Sequence, residues 1–201
     1  MRSKKQDFEY FRDYFKPKRK DWSTRDLIKY KNWYHSWVRH IDNFVDMRTG
    51  NGKKIFEVGS GIGAIVSIYS ERGFECIRSD ISTYILERAK KLNPHITFIF
   101  CDIAEGIEIN DTFDYILGFE VLEHLTRLDK VISNIHSKLR NGGYFIGSTP
   151  YPFPKNMLNP THVSVKYPIE WKNLFEQQGF DVSIKPMSFL PFLYDWLKNK
   201  R

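Results

Sequence analysis

The sequence predicts an α/β fold: a doubly wound, mostly parallel sheet with helices on both faces, preceded by an N-terminal helical cap. Two observations lead to this prediction. Apolar strand-like runs alternate with helical patterns from residue 54 onward, and such alternation is typical of parallel sheets joined by right-handed crossovers. The first run also leads into a glycine-rich turn, E-V-G-S-G-I-G-A at 57–64, which is followed by a helical pattern. We therefore place the cap at residues 1–50 and the sheet domain at residues 51–201.

The composition is that of a globular domain with an uneven distribution of charge. Of the 201 residues 41% are hydrophobic, and no apolar run approaches the roughly 20 residues of a membrane helix. No apolar signal segment follows the first residues, so we expect a cytoplasmic protein. Residues 1–54 contain 15 Lys+Arg against 7 Asp+Glu, whereas the remainder contains 16 against 17. The basic cap is therefore either a solvated helical face or a surface for phosphate, nucleic acid or an anionic membrane.

The cap is predicted to contain two helices. Residues 5–16 repeat aromatic residues at helical spacing and end at a proline. A second helical pattern starts after Asp21 or Ser23, either of which can cap it, and continues to about residue 47, with a break near Lys31 left open. Its aromatic residues are expected to pack against the sheet or to cover the ligand cleft: Tyr30, Trp33, Tyr34 and Trp37.

Six strands and four helical regions are predicted after the cap. The strands are expected at 54–58, 74–79, 96–101, 113–119, 143–149 and 180–185, and the helices at 62–72, 82–92, 121–125 with 127–140, and 167–178. Helix ends are predicted at Gly73, Pro94 and Asn141-Gly142-Gly143. Little chain follows the sixth strand, so a seventh is expected to be short or replaced by a helix after Pro191. The aromatic, lysine-ended tail would pack on the sheet edge or contact a membrane surface.

The glycine-rich turn is predicted to bind a nucleotide-like ligand. Gly59 and Gly61 allow the backbone to turn sharply and to approach a ligand closely, and Gly63 allows the next helix to pack near the strand. The N-terminus of that helix offers N–H groups and a partial positive charge. The turn alone does not identify the ligand, because Gly59-x-Gly61-x-x-Ala64 also fits the dinucleotide fingerprint.

Acidic residues follow four of the predicted strands, at the strand ends where open α/β sheets bind their ligands. Glu57 ends the first strand, Asp80 follows the second and Asp102 the third, and Glu120 follows the fourth. Asp80 lies about 20 residues beyond the first glycine of the turn. Its carboxylate suits a ribose, because two oxygens can accept hydrogen bonds from both hydroxyls.

Together these segments resemble the class I S-adenosylmethionine-dependent methyltransferases, which have a Rossmann-like sheet. The chain contains segments that are similar to the motifs of that family and that occur in the same order. They are E-V-G-S-G-I-G, the segments at Asp80 and Asp102, F-D-Y-I-L-G-F-E-V-L-E-H-L and L-R-N-G-G-Y-F-I-G-S-T-P. The resemblance covers residues 53–185 and implies S-adenosylmethionine as the cofactor. It implies that Glu57, Gly59 and Gly61 hold the methionine part, Asp80 the ribose hydroxyls, and Asp102 with Ile103 the adenine edge, with Ser60, Gly63, Ile81 and Phe119 as further cofactor-binding residues.

The segment Glu120-Val-Leu-Glu123-His124 has two functional interpretations. It resembles a segment of the ubiquinone-biosynthesis O-methyltransferases, which implies that Glu120, Glu123 and His124 are catalytic and that His124 is the base. It also resembles the metal site of the small-RNA 3′-terminal 2′-O-methyltransferases, which implies a metal ion held by Glu120, Glu123, His124 and His162. Two carboxylates and two imidazoles suit Mg²⁺, Mn²⁺ or Fe²⁺. In a third, structural interpretation, His124 caps its helix and Glu123 is solvated.

The expected function is methyl transfer from S-adenosylmethionine to an oxygen atom of a small-molecule, glycan or lipid-linked acceptor. A metal-dependent RNA 2′-O-methyltransferase is the rival enzyme, and a non-catalytic, cofactor-binding partner subunit is the rival outside the enzyme class. A nicotinamide oxidoreductase is disfavoured, because such enzymes usually lack an acid at the position of Glu57. Peripheral membrane contact is compatible with the basic cap, and no residue pattern indicates the oligomeric state.

Overall fold

The computed structural model describes residues 23–185, which contain a five-stranded parallel sheet flanked by helices. The elements are α1 (Thr24–Ile41), β1 (Lys54–Glu57), α2 (Ala64–Glu71), β2 (Glu75–Asp80), α3 (Thr83–Leu92), β3 (Thr97–Phe100), β4 (Phe113–Phe119), a 3₁₀ turn (Leu122–His124), α4 (Leu128–Lys138), β5 (Leu139–Ser148), α5 (Pro154–Met157) and α6 (Pro168–Glu176). The strand order is β3-β2-β1-β4-β5, and every neighbouring pair is parallel. The predicted α/β class and the first four predicted strands are confirmed.

The sheet separates two apolar layers. Phe56 and Ile116 lie in the layer that contains residues of α4 and α6, whereas Ile55 and Tyr115 lie in the layer that contains residues of α1 and α2. Alternate residues of a strand face opposite sides, so both layers draw on the same two central strands. Full burial of each such side chain contributes about 1.5–3 kcal/mol. This burial fixes the strand ends on which the site is built.

Helix α1 begins at the predicted cap. Ser23 Oγ accepts a hydrogen bond from the N–H of Asp26, and the Asp26 carboxylate accepts one from the Ser23 N–H at 3.0 Å, which is a reciprocal capping box. The helix continues through Lys31 without a break and ends at Ile41, well before residue 47. Nowhere in residues 23–185 is a helix long and apolar enough to cross a membrane.

Strand β5 begins earlier than the sequence predicted. The helix expected over 127–140 ends at Lys138, and the Asn141-Gly142-Gly143 segment that was expected to end it belongs to β5. The pairing of β5 with β4 shifts register within this segment, so the segment forms a β-bulge. Gly142 has a φ of +76°, which glycine adopts without strain. The prediction of a helix end at these residues is therefore wrong.

The sixth predicted strand is not formed by the described residues. Residues 180–185 are not part of any strand, although Phe180 and Val182 pack against the core. A strand requires ladder hydrogen bonds to a neighbour, and within residues 23–185 the sheet ends at β5. The prediction for 180–185 is therefore wrong. The helix predicted at 5–16 and the aromatic tail beyond residue 185 lie outside the described residues.

Candidate active site

The turn after β1 lies at the carboxyl end of the sheet and depends on its glycines. Gly59, Gly61 and Gly63 have φ values of 65°, 52° and 77°. A Cβ on Gly59 would lie 2.7 Å from Cγ2 of Val121, and a Cβ on Gly63 would lie 2.4 Å from Nη1 of Arg78. Gly63 therefore permits the close packing between the turn and the sheet that the sequence predicted. The atom that packs against Gly63 is Nη1 of Arg78.

Asp80 connects this turn to the start of α3. Its Oδ2 accepts a hydrogen bond from the N–H of Gly61 at 3.0 Å, and its Oδ1 accepts one from the N–H of Ser82 at 2.9 Å. Burial raises the pKa of Asp80 to about 6, although the backbone donors act in the opposite direction. Asp80 thus has the position that the sequence predicted for a ribose-binding acid, with Ile81 half-buried beside it.

Glu57 is buried beneath the turn, at the end of β1. Its side chain is 4% exposed, and Oε2 has no hydrogen-bond partner within residues 23–185. Burial raises the pKa of Glu57 to about 8, the Arg78 guanidinium lowers it, and Asp80 raises it further. A buried carboxylate oxygen without a donor costs free energy, which a cationic or hydrogen-bonding ligand can recover.

Two aromatic residues of α1 lie over these strand ends. Burial raises the pKa of Tyr34 to about 12, and the nearby carboxylate of Glu57 adds to this shift. The Trp37 ring packs edge-on against Tyr34, with 5.7 Å between centroids, and against Phe119, with 5.9 Å. For Tyr34 and Trp37, the prediction that the aromatic residues of this helix pack against the sheet is confirmed.

The remaining predicted cofactor residues lie at the same edge of the sheet. Asp102 follows β3, and its Oδ1 accepts a hydrogen bond from the N–H of Ala104 at 3.0 Å, which stabilises the turn that leaves the strand. Ile103 is buried in the core. Ser60 is buried in the glycine turn, and its N–H donates to the carbonyl of Ser79 at 2.9 Å. The glycine turn is thereby attached to β2 at two points.

The Glu120-Val-Leu-Glu123-His124 segment forms a tight turn and not the predicted helix. Glu120 has a φ of +53°, and the next residues form the 3₁₀ turn Leu122–His124. Oε1 of Glu120 accepts a hydrogen bond from Oγ of Ser148 at 2.7 Å, at the end of β5. Glu120 is exposed, whereas Glu123 is 1% exposed. The expectation of a solvated Glu123 is therefore wrong, because the turn directs this side chain inward.

Glu123 and His124 are brought together with His162 by hydrogen bonds to the segment after β5. The Glu123 carbonyl accepts from the two N–H groups of residues 163–164 at 2.8 and 2.9 Å, and Nδ1 of His124 lies 2.8 Å from the Thr161 carbonyl oxygen. The two imidazole rings are 5.0 Å apart between centroids. One ligand atom from each of Glu123, His124 and His162 lies within 4.8 Å of the others.

These hydrogen bonds determine which nitrogen of each imidazole carries the proton. A carbonyl only accepts, so Nδ1 of His124 donates and Nε2 keeps its lone pair. Nδ1 of His162 donates to the Asn156 carbonyl at 3.0 Å, and its Nε2 accepts from Nδ2 of Asn159 at 3.0 Å. Burial lowers the pKa of His124, so this ring is mainly neutral at pH 7. Burial also raises the pKa of Glu123 to about 8, so Glu123 is mainly protonated there.

The sequence did not predict three residues that shape the site: Arg78, Ser148 and Asn159. Arg78 had a detectable signal, since an arginine interrupts an apolar strand two residues before its terminal acid. The contacts of Ser148 and Asn159 depend on how the chain folds after β5, and no local pattern indicates them.

This arrangement of a glycine turn, strand-end acids and a helical cover defines a Rossmann-like protein whose ligand lies beyond the carboxyl ends of its strands. Residues 32–183 match the family model described as a methyltransferase domain. The chain belongs to this family, as the sequence motifs predicted.

Known proteins are similar to this chain in sequence or in fold. Ubiquinone biosynthesis O-methyltransferase of Schizosaccharomyces pombe is 29% identical over 106 residues, which are 49% of this chain and 38% of that protein. The YcgJ structure from Bacillus is 21% identical with a TM-score of 0.66, and the match covers 83% of this chain and 77% of that chain. Phosphoethanolamine N-methyltransferase 2 of Haemonchus contortus, solved with S-adenosyl-L-methionine, is 20% identical with a TM-score of 0.63, covering 94% and 48%. The chain spans about half or less of the length of the curated relatives that it matches.

Proposed function

We propose that the protein transfers a methyl group from S-adenosylmethionine to a hydroxyl group of a small-molecule, glycan or lipid-linked acceptor. The observation that carries this proposal is the neutral His124, whose orientation is fixed by the Thr161 carbonyl, beside the cofactor cradle at the same strand ends. A cradle alone would support cofactor binding without turnover. A base held beside it supports transfer to an acceptor that must lose a proton.

The residues of the cradle fit the cofactor. The unpartnered Oε2 of Glu57 would accept a hydrogen bond from the ammonium group of the methionine part. Asp80 would accept hydrogen bonds from the ribose hydroxyls, and Asp102 with Ile103 would border the adenine. When bound, S-adenosylmethionine supplies an activated methyl group on a sulfonium, so the protein mainly has to hold the acceptor in line.

His124 would complete the reaction by taking up a proton. The methyl group would come from S-adenosylmethionine, with the electron pair of the carbon–sulfur bond left on sulfur, and the chain's own contribution would be to take the proton of the acceptor hydroxyl. The hydroxyl proton moves to Nε2 of His124, and the resulting imidazolium is stabilised by the hydrogen bond from Nδ1 to the Thr161 carbonyl. The products are the methyl ether and S-adenosylhomocysteine.

The experiment that tests this function is transfer of labelled methyl from S-adenosylmethionine into a cell extract that is then separated into RNA, lipid, glycan and small-molecule fractions. We expect the label in the lipid, glycan or small-molecule fraction, and we expect its bond to the acceptor to have the chemical stability of a methyl ether. No incorporation into any fraction, with S-adenosylhomocysteine still bound by the protein, would support the partner-subunit alternative.

A second candidate is transfer assisted by a divalent cation, and the grouping of Glu123, His124 and His162 favours it. The donor set fits Mg²⁺ or Mn²⁺ in part. Glu123 has an unpartnered oxygen and His124 a lone pair on Nε2, whereas Nε2 of His162 already accepts from Asn159. Glu120, the fourth predicted ligand, is not in the group. It instead accepts from Ser148.

Metal removal separates the two candidates. In the proposed base mechanism, EDTA leaves the rate of methyl transfer unchanged. If a cation assists, EDTA abolishes transfer, Mn²⁺ restores it, and Mn²⁺ binds to the protein in a titration that His162→Ala eliminates. Asn159→Ala is the matched variant, since it releases the lone pair of His162 and should tighten Mn²⁺ binding. Incorporation into RNase-sensitive material that requires Mn²⁺ would favour an RNA acceptor.

A further inference from the structure

Arg78 occupies an unusual position beneath the glycine turn. It is 0% exposed, and its Nε and Nη1 have no hydrogen-bond partner within residues 23–185. Its Nη2 donates to Oγ of Ser67 at 3.1 Å, and its guanidinium lies 5.1 Å from the ring centroid of Phe98. A guanidinium with two unpaired donor groups is costly to bury, so its charge must be offset by its surroundings.

Glu57 is the acidic neighbour that can offset this charge when it loses its proton. The two residues are directly paired in the register of β1 and β2, so their side chains leave the sheet on the same face. Each responds to the other: Glu57 raises the pKa of Arg78 against the effect of burial, and Arg78 lowers the pKa of Glu57. Nη1 of Arg78 also occupies the space into which a side chain on Gly63 would project. The guanidinium therefore contacts the turn and influences the acid at once.

We propose that Arg78 is a positioning residue: its buried guanidinium, beside Glu57 and beneath the glycine turn, makes the Glu57 carboxylate available to the ammonium group of the amino-acid part of the cofactor. The inference rests on the proposed function, in which Glu57 contacts that group. A nearby cation favours the charged form of a carboxylate in an apolar site, so the guanidinium would prepare Glu57 to pair with the ammonium group.

The charged and titratable groups that face Glu57 come from three elements. Strand β2 contributes Arg78, Asp80 and Cys76, helix α1 contributes Tyr34, and helix α2 contributes Tyr69. Asp80, Cys76, Tyr34 and Tyr69 bring no positive charge to Glu57. Arg78 is thus the one cation among these groups. Its removal should raise the pKa of Glu57, so that Glu57 keeps its proton up to a higher pH.

The test compares two ligands in equilibrium binding to the intact protein between about pH 6 and 8. S-adenosylhomocysteine carries the ammonium group, and 5′-methylthioadenosine has the same nucleoside and sulfur but lacks the amino-acid part, with both its ammonium and its carboxylate group. For Arg78→Met, which keeps a similar volume and removes the charge, we expect affinity for S-adenosylhomocysteine to fall about tenfold at pH 7, the equivalent of one pKa unit on Glu57. Affinity for 5′-methylthioadenosine should stay unchanged.

The pH profile provides a second readout. In the wild type, affinity for S-adenosylhomocysteine should rise with pH as Glu57 loses its proton, and Arg78→Met should move this rise to higher pH. Arg78→Lys should restore most of the wild-type profile, and Glu57→Gln should abolish the rise. The ratio of the two affinities does not depend on the fraction of folded protein, so partial unfolding of a variant leaves the test intact.

Two results would overturn the inference while leaving the proposed function standing. One is an equal loss of affinity for both ligands in Arg78→Met, which would make the role of Arg78 purely structural. The other is an unchanged ratio and pH profile. Failure of the wild type to bind either ligand would instead contradict the proposed function itself.

Discussion

The candidate site has two sides, one at the glycine turn and one at the 3₁₀ turn, and each is stabilised by a different set of interactions. On the side proposed for the cofactor, the Asp80 carboxylate accepts two backbone hydrogen bonds that join the turn after β1 to the start of α3, and both donors lie within the β1-α2-β2-α3 unit. On the side proposed for the acceptor, the 3₁₀ turn at Glu123 and His124 is held by hydrogen bonds to residues 161–164, which follow β5 in the chain. The glycine turn and Asp80 are thus joined within one supersecondary unit, whereas the 3₁₀ turn is held by chain that follows β5.

Each side also contains one buried carboxyl group with an unpartnered oxygen, and the neighbours differ. Glu57 lies beside a buried guanidinium, whereas Glu123 lies beside the imidazole of His124, with Oε1 3.9 Å from Nε2. A cation beside an acid favours its charged form, and a neutral imidazole does not. Burial raises the pKa of both acids to about 8, but the Arg78 guanidinium opposes this shift at Glu57, whereas the nearby Glu120 carboxylate adds to it at Glu123.

The largest effect is expected from Gly63→Ala on the cofactor side. The substitution combines a φ of +77° with a contact of 2.4 Å to Arg78, so it should lower the free energy of unfolding by roughly 3 kcal/mol. Gly61→Ala is the control, because its φ is also positive but nothing lies within 4 Å of the added Cβ, so about 1 kcal/mol should be lost. Urea unfolding measures both, and equal losses would mean that Arg78 yields to the new side chain.

The next effect concerns the acceptor side. His124→Ala should lower turnover about a hundredfold or more, equivalent to about 2.7 kcal/mol, because the variant lacks the proposed base for the acceptor proton. Affinity for S-adenosylhomocysteine should not change, since no residue of the cradle is altered. His95→Ala, at an exposed position, is the control. Wild-type turnover should also fall as the pH drops through the lowered pKa of His124. A variant that keeps its turnover would make the 3₁₀ turn purely structural.

The same division determined what the sequence could predict. The turn, Glu57 and Asp80 were predicted because a strand, three glycines and a terminal acid follow one another within the chain. The pairing of His124 with His162 was predicted from a resemblance, but the hydrogen bonds that hold it, and the outward position of Glu120, were not. They depend on a positive φ at Glu120 and on the path of the chain after β5, and neither leaves a local pattern.

A smaller effect should appear in the pH dependence of stability. Burial raises the pKa of Glu57 from its ordinary value of 4.5 to about 8 in the folded protein, so between these pH values the folded state holds a proton that the unfolded state has lost. The stability that Glu57 contributes in its protonated form is complete below pH 4.5 and declines as the pH rises toward 8. Glu57→Gln lacks this decline, so it should gain roughly 2 kcal/mol over the wild type between pH 5 and 7. Urea unfolding at both pH values, with the exposed Glu87→Gln as control, tests this; parallel profiles would contradict it.

The smallest effect should come from Asp80→Ala, and it should be confined to the cofactor side. Removing the carboxylate deletes the proposed acceptor of the ribose hydroxyls and releases the N–H of Gly61, so affinity for S-adenosylhomocysteine should fall about tenfold, or 1.4 kcal/mol. The KM for the methyl acceptor should stay the same, because the hydrogen bonds of the acceptor side share no residue with Asp80. The exposed Asp129→Ala on α4 is the control. A change in acceptor KM without a change in cofactor affinity would mean that the two sides of the site are coupled and that Asp80 acts through the glycine turn rather than on the ribose.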